Sequence, residues 1–146
     1  IIRIWKPVEF CSLILMILEN STKTSMTLDE IVAIDFITIY GKEFNVSGTN
    51  LHGDSRYKYS ELPSRRHIAN LSLNDLVIEG LVTAHLTDGF KYSINENGLN
   101  FIELFECAYV KEYKSIVEKS FELYGDSNAQ ELMKDIQRKS QIKGDR

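Results

Sequence analysis

The stretch from Leu62 to Phe101 constrains the fold of this chain more than any other. Pro63 suits the first turn of a helix, because its missing N–H has no intrahelical partner there. Gly80 suits the position that follows the last turn of a helix. Between these two residues, apolar side chains recur at helical spacing: Ile68, Leu71 and Leu76. The stretch therefore begins with a predicted helix that ends just before Gly80.

A β-hairpin is predicted directly after this helix. Asp88-Gly89 is typical of a tight hairpin turn. The apolar residues on both sides of it alternate, as they do in half-buried strands: Val82, Ala84, Leu86, Phe90, Tyr92 and Ile94. Asn95 then suits the N-cap of a further helix. A helix, a two-stranded ribbon and another helix form the core of a winged helix. The predicted fold is mainly α (α+β), a winged-helix domain with a β-hairpin wing and long C-terminal helices.

Two helices are predicted before this core. The first is amphipathic, with apolar residues at intervals of three and four: Val8, Cys11, Leu15 and Leu18. The second begins with Thr27-Leu28-Asp29-Glu30, which indicates a capping box. The run from Ile31 to Tyr40 is rich in β-branched residues, which favour strands, but its helical spacing and its cap favour a helix. Asp35 is interpreted as a carboxylate at the edge of that apolar stripe.

The C-terminal third is predicted to be helical. One apolar stripe from Leu99 to Tyr124 predicts a single helix over about 96–124, and Leu132 and Ile136 mark a last helix. We therefore expect a winged-helix accessory domain over 1–124, followed by a C-terminal helix and tail over 125–146. The long stripe either packs wholly on the first two helices or faces a partner helix in part.

Composition and motifs limit the possible functions. The net charge is −4 and the pI is about 5.4, which argues against free binding to nucleic acid. The sequence contains no nucleophile elbow, phosphate-binding loop or zinc-binding helix motif, and its three histidines and two cysteines lack metal-ligand spacing. We therefore predict a non-enzyme without a cofactor or metal. No signal peptide or membrane-length apolar run is visible, so we expect a cytoplasmic protein without a membrane partner.

A cluster of basic residues is the main candidate site. It follows a turn-rich segment without periodicity over 45–60, and consists of Arg56, Lys58, Arg65, Arg66 and His67. It is either a solvated face or a contact for phosphates or an acidic partner. Aromatic residues are candidate anchors for a partner: Tyr57, Tyr59 and Phe90. The wing would add Asp88, Gly89 and Lys91. We expect Arg65→Glu with Arg66→Glu to leave the fold intact and to weaken assembly or DNA contact.

The order of these pieces resembles the middle component of ABC-three-component systems, over roughly positions 3 to 124. The resemblance depends on the opening helix and on four short segments: Leu51-His52, Glu61-Leu62-Pro63-Ser64-Arg65-Arg66, Glu79-Gly80-Leu81-Val82 and Tyr92-Ser93-Ile94-Asn95-Glu96-Asn97-Gly98. The chain departs from the family pattern at Asn95, where a Thr would be favoured. Both residues can serve as an N-cap.

The resemblance implies a partner role rather than catalysis. It suggests a small accessory subunit, as in Lamassu-type anti-phage systems, that docks on an SMC-like or ABC-type ATPase and couples it to an effector nuclease in bacterial defence against phage or plasmid DNA. The patch would then contact a partner protein, or duplex DNA held by the assembled complex. The alternative is a free homodimeric winged-helix transcriptional regulator that binds DNA by itself.

Overall fold

A computed structural model describes residues 7–53, 57–104 and 108–144 of the chain. Within these ranges the helices are α1 (Pro7–Asn20), α2 (Leu28–Ile39), α3 (Leu62–Ile78), α4 (Glu96–Ile102), α5 (Ala108–Tyr124) and α6 (Ala129–Gly144). A short 3₁₀ helix, Lys58–Glu61, precedes α3. The strands β1 (Val82–Leu86) and β2 (Phe90–Ile94) form an antiparallel hairpin. The prediction of a mainly helical chain with one two-stranded ribbon is confirmed.

Two buried helices form the centre of the molecule. α1 packs against α2, α3, α4, α5 and β2, and α2 also packs against α3, α5 and α6. Every residue from Ser12 to Leu18 is buried, as is every residue from Glu30 to Gly41. The prediction of an amphipathic first helix is therefore wrong for its second half, because neighbours cover α1 on several sides. A helix that is apolar all round is typical of such a central position.

The predicted capping box at the start of α2 is confirmed. The Thr27 hydroxyl accepts from the Glu30 N–H at 3.2 Å, and the Glu30 carboxylate accepts from the Thr27 N–H at 2.9 Å. The Lys23 ammonium also donates to Glu30, and it donates to the Ser127 carbonyl at 2.7 Å. Burial by itself raises the pKa of Glu30, but the hydrogen bonds from Lys23 and Thr27 outweigh it and lower that pKa. This cap thus joins α2 to the turn before α6.

The buried face of α3 differs from the prediction. The residues that face the core are Arg65, Ala69, Ser72, Leu73 and Leu76. Leu71, which we had placed on the core face, is exposed. It lies two residues from Leu73, about 200° around the helix. α3 packs on α1 and α2 with a face that contains only small or apolar residues apart from Arg65. The predicted face, based on Ile68, Leu71 and Leu76, is therefore rotated relative to the buried one.

The hairpin has the predicted strands and turn. Val82 pairs with Ile94 at its base and Leu86 with Phe90 at its end, while Asp88 and Gly89 both have positive φ. One contact adds to it: Met26, between α1 and α2, exchanges two backbone hydrogen bonds with Tyr92, at 2.9 and 2.7 Å. Met26 therefore lies beside β2 in the position of a third, one-residue strand. Met26 follows a polar connector, and the sequence there has no alternation that would predict a strand.

The single helix predicted over about 96–124 is wrong. α4 ends at Ile102, Glu103 and Leu104 form a turn, and α5 begins at Ala108. α4 packs against α1 and β2, whereas α5 packs against α1 and α2. The apolar spacing is compatible with one helix, but α4 packs against β2 and α5 packs against α2. Phe105, which belonged to the predicted stripe, lies outside the described residues.

We predict that Gly98→Ala destabilises the fold. A Cβ at Gly98 would lie 2.3 Å from the Leu81 carbonyl oxygen and 2.6 Å from Ile94 Cγ1, where α4 meets the hairpin. Overpacking of this kind costs about 1–3 kcal/mol of unfolding free energy. Without the clash, Ala inside a helix would stabilise by about 1 kcal/mol, so the sign is diagnostic. Urea unfolding measures it. Gly48→Ala is the control, since nothing lies within 4 Å of that Cβ, and a stabilised Gly98→Ala would contradict the close approach.

We also predict a pH-dependent contribution from Glu30. Its lowered pKa means that the folded state prefers the carboxylate, so its stabilisation is present above the unfolded pKa of about 4.3 and is lost as pH falls through the folded value. Glu30→Gln should therefore be less stable than the unchanged protein at pH 7, and the difference should shrink at pH 3. Urea unfolding at both pH values measures this difference in stability. Glu118→Gln, at an exposed position of α5, is the control. A difference that is the same at both pH values would contradict the prediction.

Candidate interaction surface

The predicted basic patch does not form one exposed surface. Lys58 is 4% exposed; its ammonium donates to Glu43 at 2.7 Å and lies 5.8 Å from the centre of the Tyr40 ring. Arg65 is 5% exposed and points into the core. Arg66 and His67 are exposed. Arg56 lies outside the described residues. The placement of Lys58 and Arg65 on a solvent-facing patch is therefore wrong, because each side chain forms an ion pair with a buried or half-buried carboxylate.

Arg65 is held in the interior by Asp35, a fully buried residue of α2. Arg65 Nε donates to Asp35 Oδ2 at 2.6 Å, and Nη2 donates to Oδ1 at 3.0 Å. The Tyr113 hydroxyl of α5 donates to the same Oδ1 at 2.6 Å. The guanidinium also lies 4.8 Å from the centre of the Phe10 ring of α1. Asp35 is thus not at the edge of a stripe, as we had interpreted it, but at the meeting point of four helices.

The pKa shifts agree with this geometry. Burial by itself lowers the pKa of Arg65, but the Asp35 carboxylate outweighs it and raises that pKa. Burial raises the pKa of Tyr113 well above its ordinary value, and Asp35 raises it further. Both Asp35 oxygens already accept charge-assisted or short hydrogen bonds. The cluster is therefore suited to fastening helices together and has no accessible proton acceptor for catalysis.

The turn-rich segment after α2 packs on the same region. The Tyr40 hydroxyl donates to Glu61, and His52 Nε2 lies 3.1 Å from the Tyr109 hydroxyl. Phe44 and Val46 are buried in the core. Tyr59 is half-buried, with its ring centre 5.6 Å from that of Phe36. Tyr59 is therefore chiefly a packing residue of this segment, and the described residues within 45–60 pack irregularly.

The remaining predicted contacts are on the surface. Arg66 Nε donates to the half-buried Asp29 at 2.8 Å. Tyr57 is largely exposed beside the 3₁₀ helix, and Phe90 is 60% exposed at the end of the hairpin. Asp88 and Gly89 form its exposed turn, while Lys91 is half-buried. The structure brings Phe90, Asp88, Gly89 and Lys91 together on the hairpin, whereas Arg66 and His67 are exposed residues of α3.

Three apolar residues on α3 and the hairpin are exposed although none was a predicted contact. Ile78 is 80% exposed, Leu86 is 73% exposed, and Leu71 is also exposed. A signal existed for α3, because the Ala69–Leu73–Leu76 face at intervals of four and three would have left Leu71 and Ile78 outside it. For Leu86 no signal existed, since strand alternation predicts which face a residue occupies and not how far the strand extends beyond the core.

The described residues offer neither a metal site nor a membrane span. No group of three or more His, Cys, Asp or Glu side chains in the described ranges is placed to hold a metal ion. No helix there combines the length and the apolar character needed to cross a membrane. Cys11 is a free thiol in contact with the Ser72 carbonyl oxygen at 3.7 Å, and burial raises its pKa. Cys107 lies outside the described residues.

Comparison with protein families identifies the family of the chain. The family described as ABC-three component (ABC-3C) system Middle Component 2 matches residues 5–146, which is nearly the whole chain. The chain belongs to this family. Comparison with curated proteins and with solved structures gave no significant match. The resemblance found from the sequence is thus confirmed at the level of the family. As a middle component of a multi-component ABC system, the chain fits an accessory subunit that acts with other components.

We predict that Arg65→Glu unfolds or strongly destabilises the protein, which corrects the expectation that both arginine substitutions leave the fold intact. The new carboxylate would face Asp35 in the core, and breaking a buried ion pair costs about 3–5 kcal/mol. Arg66→Glu is the matched control, because an exposed ion pair contributes only about 0–1 kcal/mol. Thermal and urea unfolding compare the two variants. Equal effects would show that the Asp35–Arg65 pair contributes no more than a surface contact.

Proposed function

We propose that this protein is a non-catalytic winged-helix accessory subunit that docks on an SMC-like or ABC-type ATPase and couples it to an effector nuclease. The system would defend bacteria against phage or plasmid DNA, as a Lamassu-type system does. The observation that carries the proposal is the family match over residues 5–146, since a middle component acts within a larger assembly. The other features of the chain support this role.

The Met26 contact supports the winged-helix part of the proposal. A winged helix usually adds a short strand between its first two helices, and this strand pairs with the second strand of the hairpin. Met26 lies between α1 and α2 and pairs with Tyr92 of β2. The resulting order is helix, short strand, two helices and hairpin. The connection between α2 and α3 is longer than a tight turn, and Phe44 and Val46 within it are buried in the core.

The charges of α3 favour a protein partner over free DNA. In a winged-helix DNA binder, this helix would enter the major groove. Beyond His67, however, α3 and its C-cap carry only two charged residues, the exposed Asp75 and Glu79. Duplex binding needs several Lys or Arg contacts to phosphates at cellular salt. Burial of Lys58 and Arg65 removes two more candidates. A contact with DNA would therefore depend on other subunits.

The polar clusters support a non-catalytic role. The buried Asp35, Arg65 and Tyr113 satisfy one another in the interior. His85 and Ser93 lie 2.8 Å apart on the exposed side of the hairpin. A nucleophile–base pair of this kind needs a third group that orients the base and a site that excludes water. Strand register places Lys91 and Thr83 beside them, and neither can act as the carboxylate of a triad.

We predict stable co-elution with the product of a neighbouring ATPase gene. The chain is co-expressed with its adjacent genes, and size-exclusion chromatography with light scattering gives the mass of the complex. Arg66→Glu and His67→Glu together test the exposed remainder of the basic patch and should weaken assembly without unfolding the protein. Lys119→Glu, at an exposed position on α5, is the matched control.

The alternative outcome is equally specific. A homodimer that ignores the neighbouring gene products and binds duplex DNA in a salt-sensitive manner would overturn the proposal in favour of a free transcriptional regulator. Unchanged assembly of the Arg66 and His67 variant would limit these two residues to a solvated face.

A further inference from the structure

The outer edge of β1 carries backbone groups that point away from the hairpin. Tyr92 of β2 directs its N–H and its C=O to Met26, on the side opposite β1. Residues directly opposite each other in an antiparallel pair either exchange both hydrogen bonds or exchange neither. Ala84 lies directly opposite Tyr92, so its own N–H and C=O also point away from β2. Because this pattern alternates along a strand, Val82 and Leu86 do the same.

This edge is open to solvent over most of its length. Val82 is buried at the base of β1, but every residue from Thr83 to Leu86 is exposed. Within the described residues, no other strand lies beside β1 and no hydrogen bond reaches the backbone of Ala84 from outside the hairpin. Donors and acceptors at such an edge bind either water or a further strand.

The sequence of β1 has none of the features that protect an exposed edge from pairing. Natural edge strands commonly use charged side chains, proline or a bulge for this purpose. β1 reads Val-Thr-Ala-His-Leu, without Lys, Arg, Asp, Glu or Pro. Its register with β2 runs from Val82 to Leu86 without a bulge. The hydrogen-bonding geometry of this edge therefore fits one kind of occupant, an extended strand.

We propose that this edge pairs with β1 of a second copy of the chain, antiparallel about a two-fold axis at Ala84. In this register Ala84 lies opposite the partner's Ala84, Val82 lies opposite the partner's Leu86, and the two strands overlap over their whole length. Backbone groups that point outward then meet outward groups at each of these pairs. The axis passes between two small side chains, and no like charges face each other across it.

The same pairing accounts for an exposed apolar side chain. Leu86 lies on the same face of the hairpin as the buried Val82 but is 73% exposed. A two-fold axis perpendicular to the sheet keeps this face on one side in both copies, and the antiparallel direction brings Leu86 beside the partner's Val82. Leu86 thereby joins a row that continues to the partner's Ile94, the residue opposite Val82 in the hairpin. The second copy thus supplies apolar neighbours for Leu86.

This inference goes beyond the proposed function and does not depend on it, since a dimer joined at β1 has the rest of each copy free to dock on an ATPase. A pairing centred on one short strand buries less surface than a standard interface. We therefore expect an equilibrium between monomer and dimer that shifts toward the dimer as the protein concentration rises.

Opposite charges at position 84 test the position of the axis. Ala84→Lys places two ammonium groups opposite each other, and Ala84→Glu two carboxylates, so each variant should dimerise about fivefold more weakly than the unchanged chain. An equimolar mixture of the two should recover the lost affinity through Lys–Glu pairs. Sedimentation equilibrium over a range of concentrations measures all samples. Ser115→Lys and Ser115→Glu, at an exposed position of α5, are the matched controls and should show neither the loss nor the recovery.

Disulfide crosslinking tests the register. Thr83 would lie opposite the partner's His85 in a pair without hydrogen bonds, with their Cα atoms about 4.5 Å apart. Thr83 and the partner's Thr83 would be diagonal neighbours about 7–8 Å apart, outside the roughly 4.4–6.8 Å that disulfides span. After mild oxidation, Thr83→Cys with His85→Cys should therefore give about tenfold more linked dimer than either single variant. Mass spectrometry identifies the link between positions 83 and 85, and the unchanged chain, with Cys11 and Cys107, gives the background.

The outcomes separate this inference from the proposed function. A monomer at every concentration would overturn the dimer, and so would a mixture no tighter than its two components. Equal crosslinking of the single and double Cys variants, or a strand of another component bound at β1 in place of the second copy, would overturn it as well. Each of these results leaves the accessory role standing, because co-elution with a neighbouring gene product tests that role. Absence of co-elution would overturn the accessory role and leave the dimer unaffected.

Discussion

The buried pair between Asp35 and Arg65 is the interaction on which the rest of this structure depends. A carboxylate without solvent exposure needs a paired cation and further hydrogen bonds, because desolvation of an isolated charge costs far more than a domain of this size can spare. Arg65 supplies two hydrogen bonds and Tyr113 a third. These residues belong to α2, α3 and α5, and Phe10 of α1 covers the guanidinium. Their joint satisfaction fixes how four helices pack.

This pairing also decides the character of the surface. Arg65 and Lys58 both pair with carboxylates in the interior, so two of the cations between Arg56 and His67 do not reach the surface. The exposed titratable residues of α3 are Arg66 and His67 near its start and Asp75 near its end. A helix with so few exposed cations is poorly suited to a phosphate backbone. The family relationship and these charges both support the proposed protein partner.

Much of the fold could be predicted from local signals. Four local features occur where their residue types predict them: the Thr27–Glu30 capping box, the Asn95 N-cap, Gly80 with φ of +76° and the Asp88-Gly89 turn. Each depends on contacts within a few residues, so neighbours in sequence contain the information. The break between α4 and α5 and the burial of Arg65 could not be found in this way. They depend on which surfaces α1, α2 and β2 present, and those surfaces are distant in sequence.

The sequence by itself determined the hairpin, most of the helices, the caps and turns that bound them, and the family to which the chain belongs. Tertiary structure alone decided which charges remain on the surface. Asp35 and Arg65 are 30 residues apart in sequence, and Tyr113 is 78 residues from Asp35. A carboxylate in an apolar helix indicates only that some cation must neutralise it. Which cation does so depends on how the helices pack, and that choice moved Arg65 from a predicted basic site into the core.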